Sequence, residues 1–420
     1  MQPRDPETAR PRNHDPYAPL RYPNFRWLVL AHAAATVARE AQIVVVGWQI
    51  YEVTKDPLSL GLIGLAEALP FVAVALYAGH VADRANRRTV AIAGTLGLAI
   101  SAVALLLFTM RPHVLQSVWP IYAVIFASGI GRSFVRPALT ALSAELVPRE
   151  IYSGAVTWRS SVWQGAAIAG PALGGMLYGF FGAKVTYGVV VALFACSLAA
   201  LAAIAHVAEP LPASEVSVGE SLRVGLRFLW RQPVLLGAMT LDLFSVLFGG
   251  AVALLPIFAK MLGAGPQGLG LLRAAPAIGS LAIGLYLAHR PPFRRAGPTL
   301  FVCVAVFGLT MIGFALSRSF LLSFALLTLS GVADNVSVLI RGTLMQTLTP
   351  RELLGRVASV NSIFIGASNE IGAFESGLAA RLLGVVPSVI FGGVMTLVIV
   401  AVTAMASPRL RSMREIHEPA

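Results

Sequence analysis

The sequence predicts an all-α membrane protein, with twelve transmembrane helices arranged as two pseudo-symmetric six-helix bundles. Three observations predict it. The 420 residues are 56% apolar and only 12% charged, and a mean hydropathy of +0.75 exceeds that of a water-soluble globule. Apolar stretches able to cross about 30 Å of hydrocarbon, each needing roughly 20 helical residues, recur from Trp27 to Ala406. The second half of the chain also echoes the first.

In chain order, residues 1–26 form a polar, basic, proline-rich tail that lacks the order of a secretory leader. Spans follow at 27–53, 59–81, 89–110, 119–142, 153–181 and 185–207, then at 234–259, 268–289, 298–316, 320–344, 356–383 and 386–406. This gives a first bundle at 27–207, a linker at 208–233, a second bundle at 234–406 and a tail at 407–420. In the linker, Ser217 and Glu220 have capping-box spacing. Beyond them Arg223, Arg227 and Arg231 repeat every four residues against Leu222, Leu226, Leu229 and Trp230. That pattern fits a helix lying on a membrane surface, or a plain connecting helix.

The repeat is visible in the letters. GLIGLAEALPFVAVALYAGH from Gly61 aligns with GLLRAAPAIGSLAIGLYLAH from Gly270 at a shift of 209. SGI at Ser128 and PRE at Pro148 return as SGV at Ser330 and PRE at Pro350, at a shift of 202. A duplicated six-helix unit related by an axis along the membrane normal is one transporter architecture.

An even number of spans puts both termini on one side, and the basic residues say which. Twenty lie in the two tails and the even-numbered loops, against single residues at Lys55, Arg111, Lys184, Lys260, Arg318 and Arg381 in the odd-numbered loops and span ends. The termini are therefore expected in the cytoplasm. Six more, Arg39, Arg132, Arg136, Arg159, Arg273 and Arg341, fall inside spans together with Glu40, Glu67, Asp242, Asp334, Glu370 and Glu375.

A charge at the bilayer centre costs about 2.5–3.5 kcal/mol on insertion scales, so each must face protein or water. Spans 3, 6, 9 and 12 carry none of these charges and suit lipid, while the other eight surround something polar. The pattern argues for a translocation path; opposite charges that merely stitch helices together are the other reading. Arg132 and Arg136, four apart, share a helix face and need acidic partners. Arg39 and Glu40 are adjacent and point apart, so each is expected to find its partner on another helix.

Residues 79–88 read GHVADRANRR. Gly79, Asp83, Arg84, Arg87 and Arg88 resemble the signature loop between helices 2 and 3 of the major facilitator superfamily, in both letters and place. Asn86 stands where that pattern has glycine, and its tolerance of positive φ is expected to keep the turn. The resemblance implies a conformational latch for the outward-facing state. GAAIAGPALGG in span 5, with Gly165, Gly170, Pro171, Gly174 and Gly175, is similar to the antiporter motif of the superfamily, with Thr157 and Ala166 in place of two of its glycines. A helix able to bend there, or a plain packing kink, accounts for it.

Over almost the whole chain the order of features resembles the subgroup of enterobactin exporters and macrolide efflux proteins. The marks are YEVTKDPLSLGLIGLAEALP after span 1, GLRFLWRQP before span 7 and LMQTLTPRELLGRVASVNS between spans 10 and 11. The resemblance implies proton-driven export of a siderophore-like or drug-like molecule across a bacterial cytoplasmic membrane. Proton coupling needs carboxylates that alternate between charged and neutral forms, and the candidates are Glu40, Glu67, Asp242 and Asp334, with Glu370 and Glu375 after them. Arg39, Arg132, Arg136, Arg159, Arg341 and Glu370 are the cavity and substrate candidates, and guanidinium forks suit an anionic cargo. Trp48, Tyr51, Trp158, Trp163 and Phe244 offer stacking surface or interfacial anchors.

The expected partners are a small-molecule substrate, protons and the lipid bilayer, with the chain acting as a monomer. Nucleic acid is not expected, because the net charge of +12 follows the loops. Cys196 and Cys303 have no ligand or disulfide spacing, and no metal or cofactor is expected. A membrane enzyme would cluster nucleophiles or histidines, and the seven histidines are scattered; a sensor would carry a soluble domain, and no segment is long enough. Proton-coupled uptake stays open beside export.

Overall fold

The computed structural model describes residues 15–111, 117–205, 218–290, 293–350 and 352–413. Among these residues there is no strand. The helices are α1 (Pro23–Thr54), α2 (Pro57–Arg84), α3 (Arg87–Thr109), α4 (Trp119–Glu145), α5 (Tyr152–Ala203), α6 (Val218–Arg231) and α7 (Pro233–Gly249). They continue as α8 (Leu255–Met261), α9 (Gly265–Leu287), α10 (Ala296–Leu316), α11 (Phe320–Leu348), α12 (Leu354–Leu383), α13 (Val385–Ala406) and α14 (Pro408–Ser412). Nine helical stretches among the described residues are long and apolar enough to cross a membrane. One of the nine holds both arms of α5, while α4 and α12, equally long, are more polar.

The breaks follow local chemistry. Pro57 opens α2, and the Asp56 carboxylate accepts the Leu58 and Ser59 amides, a capped start typically worth about 1 kcal/mol. Span 7 is interrupted at Gly250, so α7 and α8 are joined by a short 3-10 turn. Spans 5 and 6 are separated by one residue, Gly182, at φ +76°, a backbone region that favours glycine. The same device returns at Gly384, φ +94°, between α12 and α13. Gly384 lies 202 positions after Gly182, the shift of the sequence repeat.

The repeat also organises the seam between the halves. α2 packs on α12, and α5 packs on α9. In the first crossing a Cβ on Gly61 would sit 3.0 Å from the Gly377 Cα; in the second, a Cβ on Gly175 would sit 2.8 Å from the Gly270 Cα. Gly61 pairs with Gly270 at the shift of 209 and Gly175 with Gly377 at 202, so the two crossings are copies of each other. Small residues let backbones approach where lipid supplies no hydrophobic drive between helices.

On the side of the α1–α2 turn one apolar core runs through both halves, joining Val45, Ile50 and Tyr187 to Leu254, Phe258 and Phe314. On the side of the termini the cores are separate, one around Phe25, Leu142 and Leu201 and another around Leu235, Leu300 and Ile340. The halves therefore close at one end and part at the other. Gly175→Leu should disfavour this arrangement, because the new side chain would overlap the backbone of α9. With Cys196 and Cys303 replaced by serine, a cysteine at Ser160 on the open side should react with maleimide several-fold more slowly once Gly175→Leu is added. An unchanged rate would show that the crossing does not hold this state.

One expectation changes. Asn86 is at φ −59°, outside the positive-φ region; its side chain caps α3 by accepting the Thr89 amide at 3.2 Å. Capping rewards Asn as strongly as turns do, so the residue fits for a different reason. For the linker helix α6, both readings left open above find support in its packing. Leu229 is buried, and a Cβ on Gly225 would meet the Arg356 carbonyl at 2.9 Å, so one edge docks on α12 while Trp230, Arg223 and Arg227 stay exposed. Ser217 lies outside the described residues.

Candidate functional site

Five charged residues from four helices form one network midway along the seam. Arg39 on α1 reaches Glu40 at 2.7 Å and Glu67 on α2 at 2.9 Å. Arg132 on α4 reaches the same Glu67 oxygen at 2.6 Å and Glu370 on α12 at 2.9 Å, with its guanidinium over the Phe71 ring. The last pair crosses from one half to the other. Close packing sets these distances: a Cβ on Gly129 would lie 2.8 Å from the Glu67 carbonyl, and a Cβ on Gly64 equally near the Glu370 carbonyl.

The expectation that Arg39 and Glu40 must each seek another helix holds for Arg39, which reaches Glu67 on α2, and is corrected for Glu40, which pairs with its neighbour. Their Cβ atoms diverge around the helix, yet the long guanidinium stem folds back onto Glu40 while its other nitrogen takes Glu67. Arg132 and Arg136 are also treated unequally. Arg132 holds two acids, whereas Arg136 has no ion pair among the described residues.

Cavities lie on both sides of the network. Towards the termini is an open vestibule of about 710 Å³, lined by Arg39, Glu40, Arg132, Arg136, Arg159 and Trp163 among others, all from the first half. Behind the network is a chamber of about 200 Å³ shared by both halves, lined by Arg39, Glu67, Arg273, Asn369 and Glu370. Charge separates the two spaces, and Arg39 borders both.

A second site lies inside the second half. Asp242 on α7 is ion-paired with Arg341 on α11, both buried, and Arg341 also donates to the Ser337 carbonyl at 3.3 Å. Arg341 is therefore remote from the vestibule where a substrate candidate was expected. Asp334, one turn nearer the start of α11 than Val338, makes no hydrogen bond or ion pair among the described residues. It lines a void of about 10 Å³ with Asp242, Ser245 and Ser337, enough for one water, and the Ser245 hydroxyl is buried without a partner. By the repeat shift of 202, Asp334 occupies the place of Arg132.

The remaining candidates are dispersed. In the loop motif, Arg87 pairs with Glu145 at the end of α4, and Arg88 donates to the Leu201 carbonyl at 3.0 Å, so both bind within their own half. The surroundings of Gly79 and the side chains of Asp83 and Arg84 lie outside what the structure describes. In the span 5 motif, Gly170 and Gly174 lie against Val37, Glu40 and Ala41 of α1, Gly175 and the Pro171 carbonyl face Gly270, and Gly165 has nothing within 4 Å of an added Cβ. The helical backbone is unbroken through Pro171. Trp48 is core, and Trp158 anchors the chain before α1 by donating to the Pro16 carbonyl at 2.9 Å; of the aromatic candidates Trp163 lines the vestibule, where Tyr152 joins it.

Sequence reasoning left out Glu145, which lies just beyond the expected end of span 4, and Asn369, whose neutral amide gives no charge signal. Arg273 was marked only by its charge within a span. Among the described residues no group of three His, Cys, Asp or Glu side chains is placed to hold a metal ion.

Comparison with known proteins finds relatives over nearly the whole chain. The model of a family described as transmembrane secretion effector matches residues 14–419. The chain is 29% identical over 407 residues to the enterobactin exporter EntS of Shigella flexneri, covering 94% of each. It is 26% identical over 409 residues to the multidrug efflux pump Tap of Mycolicibacterium fortuitum, covering 93% of this chain and 98% of that one. Among solved structures, a bacterial homolog of the human lysosomal transporter Spinster, inward-facing and unoccupied, superposes with a TM-score of 0.72 at 16% identity over 94% of this chain and 98% of that one. A peptide transporter in complex with sulfate gives 0.71 at 13% identity over 93% and 96%. The last two likenesses concern the fold alone.

Proposed function

Because the chain belongs to the transmembrane secretion effector family of major facilitator transporters, we propose that it exports a small organic molecule of siderophore or drug type from the cytoplasm by proton antiport. The observation that carries this reading is the vestibule lined by four arginines and Glu40, open on the side of the termini and stopped by the charge network and the closed cross-half core. The excess of basic residues on that side makes it cytoplasmic, so the vestibule faces the cargo to be expelled. The relatives named as exporters of enterobactin and drugs support the direction.

In this reading residues 27–207 rock against 234–406, with 208–233 as the tether, around a path that one copy of the chain encloses by itself. The loop motif latches the opposite state, and the glycine crossings open when the vestibule closes. Asp334 is the proton carrier: Glu40, Glu67, Glu370 and Asp242 already hold arginines, and Glu375, also without an ion pair among the described residues, lines none of the cavities described above, whereas Asp334 faces the void beside Asp242. Each proton moving inward supplies about 2.3 kcal/mol per 100 mV, in addition to any pH gradient.

The test is cellular accumulation of a panel of siderophores and drugs, with and without the protein, before and after a protonophore. At least one compound should accumulate several-fold less when the protein is present, and the protonophore should erase the difference. Accumulation unchanged across the panel would refute export, and a rise caused by the protein would point to uptake instead.

A further inference from the structure

The four arginines of the vestibule divide into two sets. Arg39 and Arg132 are neutralised by Glu40, Glu67 and Glu370. Arg136 and Arg159 are not. Arg159 gives two of its donors to neutral hydroxyls, Ser143 and Thr140, each at 2.9 Å. Arg136 makes no hydrogen bond or ion pair among the described residues. The acid of the vestibule wall is Glu40, and it is already committed to Arg39.

Geometry puts the two guanidiniums in one cleft. Thr140, which accepts from Arg159, is one turn beyond Arg136 on the same face of α4. On α5, Trp163 is one turn beyond Arg159, lines the same cavity and is 52% exposed. The cleft between α4 and α5 thus presents two uncompensated positive charges with an indole about one helical turn away. Two like charges in a partly dehydrated cavity raise each other's energy, and a bound anion relieves both. Guanidinium forks match the oxygens of a carboxylate, sulfonate or phosphate, and an indole accepts a flat ring.

We propose that Arg136, Arg159 and Trp163 form a docking site for an aromatic organic anion, on the first half alone. That the anion is the exported cargo rests on the function proposed above; that it binds does not. Because both helices belong to one half, the anion stays on the same residues while the halves rock, and only the access around it changes.

The experiment is isothermal titration of the full chain in lipid nanodiscs with 2-naphthoate and its uncharged amide. Wild type should bind the naphthoate about tenfold more tightly than the amide, or better. Arg136→Gln combined with Arg159→Gln should remove that preference while leaving amide affinity within about twofold. Arg159→Lys, which keeps the charge, should retain part of the preference, and Trp163→Ala should weaken both probes. Absence of a preference in wild type, or its survival in the double glutamine variant, overturns the site. If the preference behaves as expected while no compound is exported, the export reading alone falls; if export holds while the preference survives the double variant, the docking site alone falls.

Discussion

Asp334→Asn is expected to leave substrate exchange within about twofold of wild type and to bring uphill accumulation in proteoliposomes down to equilibrium. Asparagine has nearly the shape of the protonated acid, so the cycle can run, but it carries no proton and cannot be charged. The Asp334 carboxylate is isolated: it faces a void with Ser245 and Ser337 and meets no cation among the described residues. An unpaired acid changes protonation state without breaking an ion pair, and the variant therefore strands no buried cation. Stability should therefore be unchanged or slightly higher in the variant. Asp242→Asn makes the contrast: it leaves Arg341 buried without its counter-ion, and the expected cost is about 3–5 kcal/mol, read as a lower unfolding temperature in detergent. If Asp334→Asn still drives uphill export, the proton is carried elsewhere.

Arg132→Gln should be the most damaging substitution in the seam. It removes the shared cation of Glu67 and Glu370, leaving the second without a partner and the first with only Arg39. Breaking a mostly buried pair in this way typically costs about 3–5 kcal/mol, chiefly through the charge left behind. Arg132→Lys should recover little, because a single ammonium on a shorter reach does not span two carboxylates. Adding Glu370→Gln to Arg132→Gln should restore part of the loss, with a coupling of about 0.5–3 kcal/mol in a double-mutant cycle of unfolding free energies. Additive effects, within about 0.3 kcal/mol, would mean that the cross-half pair does not contribute to holding this state.

Helix packing and charge pairing were unequally legible. Gly61 and Gly270 stood out as a repeat in the letters, and they prove to be equivalent positions in two copies of one helix crossing. Their partners Gly377 and Gly175, and the break glycines Gly182 and Gly384, obey the second shift without having been aligned from sequence. Charge was legible as a census but not as a wiring plan. Arg39 with Glu40, dismissed as a pair, is one, and Arg136, expected to need an acid, has none among the described residues.

Sequence alone determined where the helices lie, that they come in two related sets, and which of them carry charge into the membrane, because apolar length and the cost of burying charge belong to each segment by itself. Tertiary structure decided which acid meets which arginine. Glu67 and Arg132 are 65 residues apart, and Arg132 and Glu370 are 238 apart. A distance of 2.6 or 2.9 Å between such groups depends on how closely α2, α4 and α12 approach and on how a flexible side chain folds. The same packing leaves Arg136, Arg159 and Asp334 without an ion pair among the described residues, and it is there that the two halves of the proposed work, holding an anion and carrying a proton, come apart.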